Sequence, residues 1–108
     1  KADGELDWTQ PAAHLARQVR AFDPWPGTFT TWQGERLKVL AAHTREDGPS
    51  QPPGTVAALD GGLAVATGAG WLVLDDLQLA GKRPQGGAVF LNGYPEIDGA
   101  VLGAEGGR

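Results

Sequence analysis

The chain has 108 residues, a formal net charge of −4 and 41% hydrophobic residues, enough for one domain with a modest core. It contains no cysteine, so disulfides and thiolate chemistry are excluded. This composition fits a cytoplasmic protein. No apolar run approaches the roughly 20 residues that a membrane-spanning helix needs. Because the chain opens on Lys1 rather than methionine, we expect a fragment of a longer protein.

A helix is predicted near the N-terminus, behind a polar linker formed by residues 1–7. Thr9 is a suitable N-cap, and Pro11 suits the first turn, where its missing N–H costs nothing. The helix should end before Pro24, because proline disfavours helical geometry in the residue that precedes it. Apolar residues recur at helical spacing and predict a buried stripe made of Ala12, Leu15, Ala16, Val19 and Phe22.

Beyond the helix the apolar pattern changes to a period of two, which indicates strands. Residues 24–27, Pro-Trp-Pro-Gly, form a rigid corner. Gln33-Gly34 and Asp60-Gly61-Gly62 are typical hairpin turns, and the proline-rich residues 44–53 predict a surface loop. The predicted strands are 28–32, 36–41, 55–59, 63–67 and 71–79.

The C-terminal part has weaker patterns. A short second helix is predicted at residues 86–91, little periodicity follows Asn92, and residues 103–108 predict a frayed tail. One helix followed by five or six short strands, with 17 glycines, favours a mainly β fold over residues 8–102. We expect a small OB-like open Greek-key antiparallel barrel, with a two-sheet sandwich as the alternative.

Catalytic and metal sites are predicted to be absent. Ser50 lies in the proline-rich loop without a nucleophile-elbow motif. His14 and His43 have no partner at a metal-ligand spacing and are expected on the surface. Asp75 and Asp76 are adjacent on a strand, so their carboxylates point to opposite faces and cannot share an acid–base site.

The four tryptophans, Trp8, Trp25, Trp32 and Trp71, have two possible roles. Exposed aromatic side chains on small barrels can stack on unpaired bases. A barrel of this size, however, needs large side chains to fill its interior. We therefore expect packing at all four positions, with Trp8 beside the helix and Trp25 as an anchor of the corner.

Six basic residues could form a basic face on this acidic chain. Two of them, Arg36 and Lys38, fall on the strand face opposite Leu37, Val39 and Ala41. The net charge of −4 argues against tight, autonomous binding to nucleic acid. The candidates for contacts with phosphates are Arg17, Arg20, Arg36, Lys38, Lys82 and Arg83.

An ordered series of segments covers most of the chain. The segments are residues 5–8 (Glu-Leu-Asp-Trp), 20–23 (Arg-Ala-Phe-Asp), 24–30 (Pro-Trp-Pro-Gly-Thr-Phe-Thr), 53–56 (Pro-Gly-Thr-Val), 77–84 (Leu-Gln-Leu-Ala-Gly-Lys-Arg-Pro) and 90–94 (Phe-Leu-Asn-Gly-Tyr). In order and approximate spacing they resemble the C-terminal domain of methionyl-tRNA formyltransferase.

That resemblance implies an OB-like domain behind a catalytic formyltransferase domain, which formylates methionine on initiator tRNA from 10-formyltetrahydrofolate. The family's catalytic Asn-His-Asp trio belongs to the upstream domain and has no counterpart here. The resemblance therefore implies a cytoplasmic, monomeric, non-catalytic domain that assists tRNA binding through the six basic residues and binds tRNA weakly alone. It implies no metal, cofactor or membrane contact in this domain.

Two alternatives remain open at this point. The domain can be a protein-interaction or interdomain packing module that only positions the upstream domain. It can also be the C-terminal domain of a formyltransferase that acts on a substrate other than tRNA. Convergence of the basic residues on one face would favour RNA over a packing module.

Overall fold

The fold is built around two long antiparallel strands. A computed structural model describes residues 4–23 and 25–103. In chain order the elements are α1 (Ala12–Ala21), β1 (Thr28–Trp32), β2 (Glu35–Arg45), β3 (Val56–Leu59), β4 (Gly62–Ala66), β5 (Trp71–Leu79), β6 (Gln85–Gly86), α2 (Gly87–Gly93) and a 3₁₀ turn (Pro95–Ile97).

All strands belong to one antiparallel sheet. Its order is β1-β2-β5-β4-β3, and β6 pairs with the far end of β5. Strands β3, β4 and β5 form a meander, and β2 lies beside β5 after the long connection of residues 46–55, which is Greek-key connectivity. The predicted mainly β antiparallel fold with one N-terminal helix and a short second helix is confirmed.

Two tight turns explain the hairpins. Gln33 and Gly34 have φ values of 54° and 78°, and Asp60 and Gly61 have 53° and 79°. Positive φ at both central residues is the type I′ geometry, whose twist matches that of the flanking strands. Both predicted hairpins are confirmed, and Gly62 already belongs to the second one as the partner of Leu59.

The helix packs as predicted along most of its length, but its start differs. Leu15 is fully buried, and Phe22, the end of the predicted stripe, is only half-buried. Pro11 occupies the N-cap position without a side-chain cap. The predicted cap at Thr9 is wrong, because its amide and hydroxyl both donate to Oδ1 of Asp7, at 3.0 and 2.6 Å.

A β-bulge in β2 changes which side chains face the core. The register with β5 shifts twice between Val39 and Ala42, and an extra residue in one strand reverses the alternation beyond it. The predicted inward position of Ala41 is therefore wrong: Ala41 is exposed and Ala42 packs on the core. The strand also continues to Arg45, into the predicted loop, because β5 is long enough to pair with it.

Ordered packing begins earlier than the linker prediction placed it. Leu6 is 4% exposed, and its amide donates to the carbonyl of Phe29 at 2.9 Å. The amide of Phe29 in turn donates to the carbonyl of Gly4 at 2.9 Å. Residues 4–7 therefore belong to the domain and not to the predicted linker. Residues 1–3 of that linker and Pro24 of the predicted corner lie outside the described part.

The C-terminal segment is more structured than its sequence pattern indicated. Ile97 in the 3₁₀ turn and Leu102 are buried in the main core, and the amide of Gly103 donates to the carbonyl of Thr31 at 2.9 Å. These residues cover the core beside β1 and β3, although their apolar side chains follow no regular sequence period. The rest of the predicted frayed tail, residues 104–108, lies outside the described part.

Three tryptophans pack as expected. Trp8, Trp32 and Trp71 are each 5% exposed, and Nε1 of Trp8 donates to Oγ1 of Thr30 at 3.1 Å. Trp32 also holds α2 in place, since its ring contacts Phe90 edge-on with centroids 6.0 Å apart. Packing therefore accounts for these three rings.

We expect Leu15→Ala to lower the free energy of unfolding by about 2–5 kcal/mol, because it removes fully buried methyl groups and leaves a cavity. Denaturant titration of the two proteins measures this. His14→Ala, on the exposed side of α1, is the matched control and should change stability by no more than about 0.5 kcal/mol. A loss well below about 1 kcal/mol for Leu15→Ala would contradict the docked helix.

Candidate nucleic-acid interface

The outer face of β2 carries two of the predicted basic residues. Arg36 and Lys38 are exposed, whereas Leu37 and Val39 between and after them are 0% and 1% exposed. This alternation follows from the pleat of a strand that covers a core on one side. The predicted faces of this part of β2 are confirmed.

Phe29 of β1 supports Arg36. The guanidinium carbon of Arg36 lies 3.8 Å from the centroid of the Phe29 ring, close enough for a cation–π interaction of about 0.5–1 kcal/mol at an exposed site. Lys38 is the direct cross-strand partner of Phe29. The ring therefore holds the guanidinium over the sheet and leaves its N–H groups available to a ligand.

The turn after β5 brings further basic residues to the same place. The amide of Ala80 donates to the carbonyl of Arg36 at 2.9 Å, and Nε2 of Gln78 donates to the carbonyl of Lys82 at 2.9 Å. Gly81 between them has a φ of 78°, a conformation that favours glycine. These bonds hold the turn that contains Lys82 against β2, the strand that carries Arg36, and the exposed Arg83 follows Lys82 directly.

A shallow hollow of about 140 Å³ lies beside Arg36 and Lys38. It is smaller than the roughly 300–1,000 Å³ of a typical small-molecule pocket, which favours a contact surface over a ligand pocket. No carboxylate lines it within the part of the chain that the structure describes. The hollow is lined by Arg36, Lys38, Gln78, Leu79, Ala80 and Gly81. The name basic patch is used for a different set, Arg36, Lys38, Lys82 and Arg83.

The two basic residues of α1 lie elsewhere. The buried side of α1 shares the core with Leu37 and Val39, which point away from the outer face of β2. Arg17 is exposed and lines a different hollow with His14 and other helix residues, and Arg20 is exposed in the last turn of α1. The structure thus brings Arg36 and Lys38 together, places Lys82 and Arg83 in the turn that follows the neighbouring strand, and places Arg17 and Arg20 on the helix.

Arg45 shows how the fold neutralises a basic residue outside the patch. Its Nε donates to Oδ1 of Asp47 at 2.8 Å, and its Nη1 donates to Oδ2 of Asp60 at 2.6 Å. The hydrogen bond and the charge of Asp47, together with the nearby Asp60, raise the pKa of Arg45 above its ordinary value. Its charge is therefore compensated within the domain.

Two of the residues considered for catalysis, His43 and Asp75, lie next to each other on β2 and β5. His43 lies on the surface as expected, where its Nδ1 is 2.7 Å from Oδ2 of Asp75. Asp76 is instead held in the sheet between Ala41 and Gly86. Across residues 4–23 and 25–103, no cluster of three or more His, Cys, Asp or Glu residues suits a metal ion. Within the same residues, no helix is long and apolar enough to cross a membrane.

The prediction for Trp25 is wrong. This tryptophan is 84% exposed. The corner is closed without it, because the amide of Gly27 donates to the carbonyl of Phe22 at 2.8 Å and Oγ1 of Thr28 donates to the carbonyl of Val39 at 2.8 Å. Sequence alone had no signal for this outcome, since a tryptophan between two prolines fits a buried anchor and an exposed ring equally well.

Comparison with known proteins decides the family. The family model described as formyl transferase, C-terminal domain, matches residues 1–95. This chain belongs to that family. It is 50% identical over 104 residues to a methionyl-tRNA formyltransferase of Roseiflexus castenholzii, covering 95% of this chain and 33% of the relative. It is 50% identical over 101 residues to a protein of the same name from Myxococcus xanthus, covering 93% and 32%.

The formyl transferase C-terminal domain described here therefore spans about a third of the length of these relatives. Among solved structures, a variant of HypX from Aquifex aeolicus superposes with a TM-score of 0.66 and 20% identity, over 85% of this chain and 17% of that one. At this identity the match shows the shared fold alone. The resemblance inferred from the ordered segments is confirmed.

The contact between Arg36 and Phe29 is testable by a double-mutant cycle. We expect Arg36→Ala, Phe29→Leu and the double variant to give a coupling energy of about 0.5–1 kcal/mol in unfolding, because each single change removes the same cation–π contact. The same cycle between Phe29→Leu and Arg17→Ala, on α1, is the control and should give no coupling. Coupling within error of zero for the first pair would contradict the contact.

Proposed function

We propose that this formyl transferase C-terminal domain is the non-catalytic, tRNA-binding part of a methionyl-tRNA formyltransferase. The names of the relatives that match nearly the whole chain support this reading. The observation that carries it is the basic patch, where Arg36 and Lys38 line one hollow and the backbone carbonyl of Lys82 accepts a hydrogen bond from Gln78 of the same hollow. On a chain of net charge −4, such a group of cations suits a polyanion.

The proposed division of work leaves the chemistry to another domain. An upstream domain of the parent enzyme transfers the formyl group of 10-formyltetrahydrofolate to the amino group of methionine on initiator tRNA. The OB-like domain described here takes no cofactor or metal and contributes affinity for the tRNA backbone. The parent enzyme would act as a monomer in the cytoplasm, in the initiation of protein synthesis.

The patch is suited to phosphates more than to base edges. Arg36 presents a guanidinium held by Phe29, and guanidinium groups bind phosphate through two parallel hydrogen bonds. Contacts of this kind position a nucleic acid without reading its sequence. Because the whole domain is acidic, the isolated domain should bind tRNA with a dissociation constant of only about 10⁻⁴–10⁻⁶ M at physiological salt.

A packing module remains the second candidate. It is favoured by three exposed large apolar side chains, Trp25, Val89 and Val101, which a neighbouring domain could cover. The two functions differ in what a loss of charge on the patch would do. Binding to tRNA would become less dependent on salt, whereas a packing contact made by apolar side chains would be unaffected.

Loss of charge on the patch is therefore the decisive test. We expect the double variants Arg36→Ala/Lys38→Ala and Lys82→Ala/Arg83→Ala to shallow the slope of log affinity against log salt by about one to two units, because each phosphate contact contributes about −0.9. Titration of initiator tRNA at several salt concentrations measures the slope. The control Arg36→Lys/Lys38→Arg keeps both charges and should keep the slope.

In the full-length enzyme the same double variants should raise KM for tRNA more than they lower kcat, because they remove binding shared by ground state and transition state. Unchanged salt dependence in both double variants, together with an unchanged KM, would rule out the tRNA-binding proposal. The packing module would then be the better function.

A separate assay tests the division of work. We expect the isolated 108-residue chain to form no formyl-methionyl-tRNA from Met-tRNA and 10-formyltetrahydrofolate, because the Asn-His-Asp trio that the resemblance assigns to the upstream domain has no counterpart in this sequence. A full-length methionyl-tRNA formyltransferase is the positive control. Product above the level of a reaction without enzyme would show that this domain has catalytic residues of its own.

A further inference from the structure

Trp25 is exposed in a way that the fold does not require. Its side chain is 84% exposed, whereas Trp8, Trp32 and Trp71 are each 5% exposed. Tryptophan is buried to a large extent in most proteins, and the hydrogen bonds that close the corner at Gly27 do not involve the ring. The ring is therefore accessible to a partner outside the domain.

The ring of Trp25 borders the basic patch. It lines a second hollow together with Pro26, Thr28 and Lys38, and Lys38 also lines the hollow of the basic patch. Lys38 thus joins an exposed indole on one side to Arg36 on the other. Asp23 lines the second hollow as well, so an anionic group is expected at Lys38 rather than at that carboxylate.

We propose that Trp25 stacks on an unpaired base of RNA whose phosphate contacts Lys38. An aromatic ring next to a cation suits a single-stranded nucleotide, which offers a flat base and an anionic phosphate to the same surface. In a duplex both faces of each base are covered by its neighbours, so a paired nucleotide cannot use the ring in this way. This site rests on the proposed RNA-binding function and adds to it a preference for unpaired nucleotides.

The charge beside the ring favours RNA over a protein partner. Lys38, which lines the hollow of Trp25, and Arg36, which lines the adjoining hollow, are complementary to phosphate. Arg36 is already held in place by Phe29. A protein partner would need a contiguous apolar patch. The two other exposed large apolar side chains, Val89 and Val101, line neither of the two hollows.

The tryptophans themselves provide the measurement. Because the other three are buried, quenching of the fluorescence by a short single-stranded oligoadenylate should report Trp25 alone. We expect quenching by the single strand and little or none by an RNA duplex of the same length. The variant Trp25→Phe should lose the quenching signal and keep part of the affinity, since phenylalanine can still stack.

Binding of the variants is followed by the anisotropy of a labelled oligoadenylate at low salt. We expect Trp25→Ala to weaken binding of the single strand about 5- to 150-fold, the range that corresponds to one base stack, with an unchanged slope against log salt. Val89→Ala, at a side chain that is 58% exposed, is the matched control and should bind as the parent domain does. An unchanged denaturation midpoint confirms that Trp25→Ala folds.

Three results would overturn the stacking site: equal single-strand affinity of Trp25→Ala and the parent domain, an equal loss for duplex and single strand, or no quenching by oligoadenylate. The first is also what a site for a protein partner predicts. If Trp25→Ala binds normally while Arg36→Ala/Lys38→Ala shallows the salt slope, only the stacking site is refuted. If both variants bind RNA as the parent domain does, the stacking site and the proposed function are both refuted.

Discussion

The antiparallel pairing of β2 with β5 is the interaction on which the other elements depend. It runs from Leu37 opposite Leu79 to Arg45 opposite Trp71. β1 attaches to β2, while β4 and β6 attach to β5, so each side of the sheet is held through this pair. The bulge between Val39 and Ala42 lets the two strands stay paired while the sheet bends around one core, since a bulge increases the local twist.

The basic patch is a consequence of the same pairing. β2 begins with Arg36 and Lys38 on its outer face because Leu37 and Val39 occupy the face that covers the core. β5 ends at the same edge, and the turn that follows it bonds back to Arg36 through Ala80. Lys82 therefore reaches the edge where β2 begins, although the two segments are far apart in the sequence. The patch is a product of strand register.

The proposed tRNA binding is consistent with an acidic domain that carries a local basic patch. Its overall charge of −4 opposes tight binding to any polyanion, while the patch offers a few contacts that depend on salt. Arg45, by contrast, is neutralised by Asp47 and Asp60. Affinity from such a domain is useful when a second domain supplies further contacts to the same ligand, because the joined contacts then act at a high effective concentration.

The amino-acid sequence by itself determined the local features of this protein. The helix around Leu15, the type I′ turns at Gly34 and Gly61, and the alternation around Arg36 each depend on neighbouring residues, which period and turn chemistry describe. The ordered segments determined the family in the same way. These features need no knowledge of distant contacts.

The tertiary structure decided what depends on distant partners. The bulge at Ala41 lies in the pairing of β2 with β5, Ile97 is buried in a core built from distant segments, and Arg36 is supported by a ring on another strand. The exposure of Trp25 was decided by hydrogen bonds that close the corner without it. Such outcomes depend on which surfaces meet once the strands have paired, and a pattern along one segment carries no information about that.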